Sequence, residues 1–573
     1  MPRTTKPRRV AIPAVAFAAA AALTSAGVGP AQATPLPTGP GTGEVPHFTG
    51  RPADPRPVPG SAVRNRHMAP DGLSAMHGDS YASNTQPQRG PLGHHPQVTG
   101  AGKVTDPKEP AQCATATFLH NGLMVLNCGG ASHRPTPRLE DPDTLEDLAS
   151  YRLPVRPSTY EAAATRNPAL MFSDTSGSYY YLDNQDRIVI AGADQHIRRL
   201  KVQRTNSGRW GFEKVDDWSL RPYLPHACAT ATDPDPKGEC DPVTAVQADY
   251  DGLMWWVSDH GRVGTLNPDT GTVKTVDLAG ERIENSFSTG PDGAFIATDH
   301  ALYKMRAESD GTPRITWRER YDRGNRPKPG QINQGTGATP ALLGNTYVGI
   351  TDNADPRMHV LVYQRGNRIK GDRLVCSVPV FRRGASATEN SLTAWGNGFS
   401  VENDYGCTST RTTEGGRSIT GGITKIEVNK AGTGCRTSWT SKEQSPTVVT
   451  KLSRANGLLY AYSKPSRSTG TDAWYLTAID WRTGRTRFRI LTGTGDAYNN
   501  NWSPITLGPD GSAYISTYGG IVRVHDETGP DADRADTGSG TPAAPIASLA
   551  AALAAAGGGL TWWWLRRKKA LER

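Results

Sequence analysis

Asp251-Gly252-Leu253-Met254-Trp255-Trp256-Val257-Ser258 joins a tight turn to a short apolar run, and the unit returns seven more times along the chain. The other copies start at His120-Asn121-Gly122, Asn184-Gln185-Asp186, Asp292-Gly293, Gly344-Asn345, Asn397-Gly398, Asn456-Gly457 and Asp510-Gly511. Asn, Asp and Gly make turns because they tolerate the left-handed backbone or bond their own main chain. An apolar run behind such a turn reads as a buried strand. The spacing of about 41 to 66 residues matches a repeated sheet with some long loops. The expected fold is all-β, an eight-bladed β-propeller, or seven-bladed if two copies share one sheet.

Further alternating runs, such as Thr272–Leu278 and Arg314–Tyr321, supply outer strands. A second turn type, seen in Asn267-Pro268-Asp269-Thr270-Gly271 and Arg482-Thr483-Gly484, separates them and completes four strands per blade. The expected blades span 112–154, 172–220, 243–278, 283–322, 330–381, 387–441, 446–493 and 499–526. The last is short, so its edge strand should come from the segment before Cys113, closing the ring.

The ends read differently. Arg3, Lys6, Arg8 and Arg9 precede an apolar run that reaches Ala31-Gln32-Ala33, a secretory signal peptide cut after Ala33, with the twin-arginine route as the alternative. Residues 34–108 form a Pro- and Gly-rich, mostly irregular arm, whose middle is expected to lie across the propeller or lend it a strand. The propeller occupies 109–527 and a polar linker 528–541. Residues 542–565 are uncharged, Ala-rich and closed by Trp562-Trp563-Trp564, which suits a single transmembrane helix; the basic tail 566–573 then faces the cytoplasm. An Ala-rich tail outside the membrane is the alternative, since Gly557-Gly558-Gly559 weakens a helix. The expected topology is a cell-membrane protein with its ectodomain outside.

The formal charge of +9 is concentrated at the ends: the first nine residues carry four and the last eight a net four, leaving +1 for the ectodomain. Nucleic-acid binding therefore lacks an electrostatic footprint. Seven cysteines suit an oxidising compartment. Cys113 and Cys128 flank one hairpin symmetrically and should pair. Cys228 and Cys240 bracket a Pro- and Asp-rich loop and should also pair. Of Cys376, Cys407 and Cys435, one must remain, and spacing does not choose it.

Ala478-Ile479-Asp480-Trp481-Arg482-Thr483-Gly484-Arg485-Thr486-Arg487-Phe488 resembles the repeat of pyrroloquinoline-quinone-type propellers, in which an Ala-x-Asp-x-x-Thr-Gly unit ends in a Trp docked on the next blade. Phe488 stands in the Trp place, and Gly264–Gly271 is a weaker copy. The resemblance implies an eight-bladed toroid over roughly 111–526. It does not carry activity, since dehydrogenases of this type usually have a vicinal disulfide and this chain has no adjacent cysteines; a quinone is not expected. Ala387-Thr388-Glu389-Asn390-Ser391 with Tyr498-Asn499-Asn500-Asn501 resembles uncharacterised exported propeller proteins of high-GC Gram-positive bacteria.

Glu284-Asn285-Ser286, Asn333, Glu389-Asn390-Ser391 and Asn499-Asn500-Asn501 each precede an inner strand, so radial symmetry should bring several to one mouth of the channel. Carboxylate and amide oxygens together suit a hard cation, so Glu284, Asn285, Asn333, Glu389, Asn390 and Asn500 are the candidate ligands of calcium. Glu389 is the candidate general base. Six-bladed lactonases and esterases, and quinone dehydrogenases, hold calcium in a similar design. The alternative is that these residues bond local turns. No Gly-x-Ser-x-Gly, His-Glu-x-x-His or phosphate loop occurs. His67, His77, His94 and His95 read as solvated loop residues. The Trp255-Trp256 pair, Trp395 and Trp474 read as inter-blade packing. The leading expectation is a scaffold binding an extracellular ligand or protein; the rival is a calcium-dependent lactonase-like hydrolase or a quinone-dependent oxidoreductase.

Overall fold

The structure is a computed structural model that describes residues 45–100, 105–106, 109–130, 134–166, 174–175, 177–226, 228, 240–500 and 502–527. The segments expected to be a signal peptide, a linker, a membrane helix and a basic tail lie outside the described residues. Among the described residues no helix is long and apolar enough to cross a membrane.

Among the described residues eight sheets follow one another along the chain, each built on four successive antiparallel strands or, in the eighth, three plus one from the arm. Their inner strands are Glu109–Phe118, Tyr180–Leu182, Val243–Ala248, Ser288–Gly290, Ala341–Leu343, Thr393–Trp395, Lys451–Ser453 and Ile505–Leu507. We number the blades one to eight in that order. The repeated turns work as their composition implies: Asp249 Oδ1 accepts the main-chain N–H of Asp251, Gly252 and Leu253, and Gly252 takes a φ of 98°. The strand that follows, Met254–Ser258, is buried along its whole length. The core lies between neighbouring sheets; Phe488 of blade seven, for example, packs with Ile505, Leu507 and Val524 of blade eight.

Tryptophans seal three of the seams. Trp439, on the outer strand Cys435–Ser441 of blade six, donates Nε1–H to the Trp481 carbonyl of blade seven at 2.9 Å and covers Gly484. Trp317 of blade four donates similarly to Arg365 of blade five, and Trp218 of blade two faces Gly271 of blade three. Each large side chain thus rests on the second turn of the next blade, and under Trp439 and Trp218 a glycine leaves room.

The arm is an integral part of the ring. Pro96–Gly100 pairs antiparallel with Gly520–Asp526 and is the fourth strand of blade eight. Phe48–Gly50 adds an outer strand to blade seven. Between them, residues 65–88 run around the inside of the channel and bond every blade. Leu73 accepts from Phe118 in blade one, and Leu182 in blade two exchanges bonds with Ala69 and Ser74. Ser80 accepts from the Gln247 side chain in blade three and from Thr289 in blade four. Tyr81, Ser83 and Asn84 accept from Leu342, Ala394 and Leu452 in blades five to seven. Gln86 reaches Leu507 in blade eight through its side chain. These bonds engage the inner strands beyond their first residues, so the plug sits away from the loops that lead into them.

Three disulfides join Cys113 to Cys128, Cys228 to Cys240 and Cys376 to Cys435, leaving Cys407 as a buried thiol. The third links the outer strands of blades five and six. Three such bonds fit an oxidising compartment.

Candidate functional site at the channel mouth

The loops leading into the inner strands converge, and Glu389 is their centre. Glu389 precedes the inner strand of blade six and is 7% exposed. Its Oε2 accepts the Ile332 N–H at 3.0 Å and its Oε1 accepts Asn285 Nδ2–H at 3.3 Å. The Asn333 N–H also bonds the carboxylate. Asn285, ahead of the inner strand of blade four, accepts the Tyr179 hydroxyl at 2.8 Å. A hydrogen-bonded chain therefore runs from blade two through blade four to blade six. Gly337 makes the approach feasible, because a Cβ there would lie 2.5 Å from the Glu389 Cα.

Burial sets the protonation of this group. Removal from water pushes Glu389 up to about 7, against the N–H bonds that favour its charged form. Glu284 is pushed up to about 9 by burial first, then by the charges of Glu389 and Asp259. Its nearest cation is Arg282, with Nε 3.9 Å from Oε1. At neutral pH Glu284 is thus the protonated partner and Glu389 the one at its midpoint. Tyr179 is held protonated by burial and by the negative charge of Glu389.

Glu284, Asn285, Asn333 and Glu389 come together, Asn333 through its main chain. Asn390 and Asn500 instead turn into the sheets. Asn390 Nδ2 donates to the Val448 carbonyl at 2.9 Å and to Asp404 at 3.3 Å, binding the seam of blades six and seven. Asn500 Nδ2 donates to the Ser516 carbonyl at 2.9 Å within blade eight. Both Glu389 oxygens accept N–H bonds, and among the described residues no three of His, Cys, Asp or Glu are grouped to hold a metal ion.

Beneath the mouth lies a polar layer supplied by the arm. His77 is buried, not solvated, with its ring stacked 6.3 Å from that of Tyr179 and Nδ1 3.0 Å from Asn84 Oδ1. Lys451 donates to Asn84 Oδ1 at 3.2 Å and to the Met76 carbonyl at 2.9 Å. Burial pushes His77 down to about 4 and Lys451 down to about 7. Asp79 accepts both the Ser83 N–H and its hydroxyl. The only trace of this layer in the sequence is the density of small polar residues in His77–Gln86.

No known protein-family model matches the chain. A curated relative from Archaeoglobus fulgidus, described as an uncharacterized protein, is 23% identical over 315 residues, which are 49% of this chain. The match spans 60% of that relative's length. Among solved structures, BamB from Moraxella catarrhalis is 10% identical with a TM-score of 0.38, covering 74% of this chain and 95% of its own. A streptogramin B lyase is 9% identical with a TM-score of 0.35, covering 75% and 97%. The fold assignment rests on the chain's own sheet pairing.

Proposed function

We propose that this protein is an exported, membrane-anchored propeller that binds an extracellular ligand or protein at the Glu284–Asn285–Glu389 mouth, as a scaffold. The observation that carries the reading is the plug: residues 65–88 bond all eight inner strands, so a ligand entering the channel from the mouth meets a fixed floor. The mouth is partly exposed at Glu284, Asn285 and Asn333, and offers acceptors backed by buried donors. Such a surface suits a ligand rich in hydrogen-bond donors. Membership of the quinone-type repeat class is supported by the tryptophans that rest on the next blade's turn. Photo-crosslinking from position 333 of the full-length chain in its native cells tests the reading. Adducts at 333, absent at the outer position 430 and reduced by Glu284→Lys, are expected; equal adducts at both positions would overturn it.

A second reading has its own support. A carboxyl near 9 beside one near 7 is the arrangement of a general acid and a general base. In a hydrolase of lactone-like esters Glu389 would accept the proton of water and Glu284 would protonate the leaving oxygen. In the metal-dependent form of this reading, calcium would be held by the Glu284 and Glu389 carboxylates with amide oxygens beside them. Calorimetric titration of calcium into the full-length protein and its Glu389→Gln variant separates the cases: stoichiometric heat lost in the variant favours the metal-dependent enzyme.

A further inference from the structure

A second site lies on the same face, between the loops that follow the second strands of blades six and seven. The first loop leaves Gly398–Glu402 beside the mouth, where the Glu389 N–H donates to Asp404 at 3.0 Å. The second follows Leu458–Ser463. The loops meet main chain to main chain: Arg467 N–H donates to the Gly416 carbonyl at 2.7 Å, and a Cβ on Gly416 would lie 2.2 Å from the Arg467 carbonyl oxygen. Between them opens a cavity of about 580 Å³, lined by Arg417 and Ser418 on one side and Ser466, Arg467 and Ser468 on the other.

The lining is cationic and hydroxylic, and no carboxylate belongs to it. The nearby Asp472 is committed elsewhere, to the N–H groups of Gly415 and Gly416 at 2.9 and 2.7 Å and to Lys464 at 2.8 Å. Arg417 is fixed by carbonyls, Nε on Glu414 at 3.0 Å and Nη2 on Arg411 at 3.2 Å, bonds that hold the guanidinium without neutralising it. The Ser418 hydroxyl is shielded from solvent and has no hydrogen-bond partner. Ser466 is held by Gln444, whose Oε1 accepts its N–H at 2.9 Å. A buried hydroxyl without an acceptor, in the wall of a cavity that Arg417 also lines, is matched by an anionic oxygen.

We propose that this cavity binds an oxyanion, a phosphate or sulfate group, either free or carried on a hydroxylated molecule. Arginine suits the oxyanion because its N–H groups can be offered in parallel to two oxygens. The serines add hydroxyl donors to the group or to its carrier. The volume exceeds that of the ion alone and falls in the range of small-molecule sites. The proposal does not rest on the reading of the mouth.

The test is calorimetric titration of the full-length protein with inorganic phosphate, inorganic sulfate, glucose 6-phosphate and glucose. Binding of phosphate or sulfate, and none of glucose, is expected. Equal affinity for phosphate and glucose 6-phosphate identifies the free ion as sufficient, and tighter binding of the ester identifies a carrier. Arg417→Gln and Ser418→Ala should each weaken binding by about tenfold or more, while retaining the wild-type unfolding midpoint. Ser468→Ala, on the exposed rim, provides a variant without structural bonds to lose. Absence of binding by the wild type, or binding unchanged in all three variants, would overturn the proposal.

Discussion

Gln86 and Leu507 exchange two hydrogen bonds: the Leu507 N–H reaches Oε1 at 2.7 Å, and Nε2 reaches the Leu507 carbonyl at 3.0 Å. The side-chain amide imitates a strand's peptide group against blade eight, while the Gln86 main chain pairs in parallel with Ser453 of blade seven. One residue thus ties the seventh and eighth blades to the plug, next to the seam closed by Pro96–Gly100.

Gln86→Ala should destabilise the fold by about 2 kcal/mol, because two buried peptide groups lose their partners together. Urea unfolding of the variant against wild type measures the loss. Gln86→Glu should also destabilise, since a carboxylate cannot donate to the Leu507 carbonyl.

The Cys376–Cys435 bond clamps the outer strands of blades five and six. Cys376 sits opposite Val362 in blade five and Cys435 opposite Val428 in blade six. Replacing both with serine should cost roughly 4 kcal/mol for a closed loop of this length. Cys407→Ser should cost less and leave the disulfides intact. Cys407 is 7% exposed and its thiol is pushed up to about 12, chiefly by burial. Alkylation followed by mass spectrometry should therefore label Cys407 only after denaturation.

Glu389 makes stability depend on pH in a defined direction. Its folded value of about 7 exceeds the ordinary 4.5, so its contribution is complete below pH 4.5 and is lost as pH rises through 7. The loss amounts to about 3 kcal/mol for this buried carboxyl. Glu389→Gln cannot ionise, so the gap between variant and wild type should move in the variant's favour between pH 5 and pH 8. His77 acts oppositely: its folded value of about 4 lies below the ordinary 6.5, so its contribution is complete above 6.5 and is lost as pH falls through 4. His77→Gln should therefore flatten the acid side of the profile. Urea midpoints measured across this range test both.

The blade count was legible because each inner hairpin carries its own turn, and Asp249 with Gly252 shows the turn chemistry acting locally. The edge strand of blade eight was legible from what the last repeat lacked. The plug was not, because residues 65–88 have no apolar alternation and bind through main-chain carbonyls and short polar side chains. The Cys376–Cys435 pair joins different repeats, so no local spacing announces it. At the mouth, the expectation of convergence held for Glu284, Asn285 and Glu389. It did not separate them from Asn390 and Asn500, which occupy equivalent places but rotate into their sheets. The main-chain donors on Glu389, from Ile332 and Asn333, come from the loop before blade five, whose path no repeat dictates.

The seam between blades six and seven depends on a glycine. Gly484 has a φ of 70°, and a Cβ there would stand 2.5 Å from the Trp439 ring. Its turn is fixed by Asp480, whose Oδ1 accepts the N–H groups of Arg482 and Thr483 and the Thr483 hydroxyl, each within 3.1 Å. Gly484→Ala combines a left-handed backbone penalty with displacement of a packed indole, and should cost about 2 kcal/mol or more. Trp439→Ala removes the clash but opens the seam, so it too should destabilise. The double variant should then lose less than the sum of the two, because the alanine methyl no longer meets a ring. Denaturant unfolding of the three proteins measures that coupling; strict additivity would mean that the Trp439 ring does not rest on this turn.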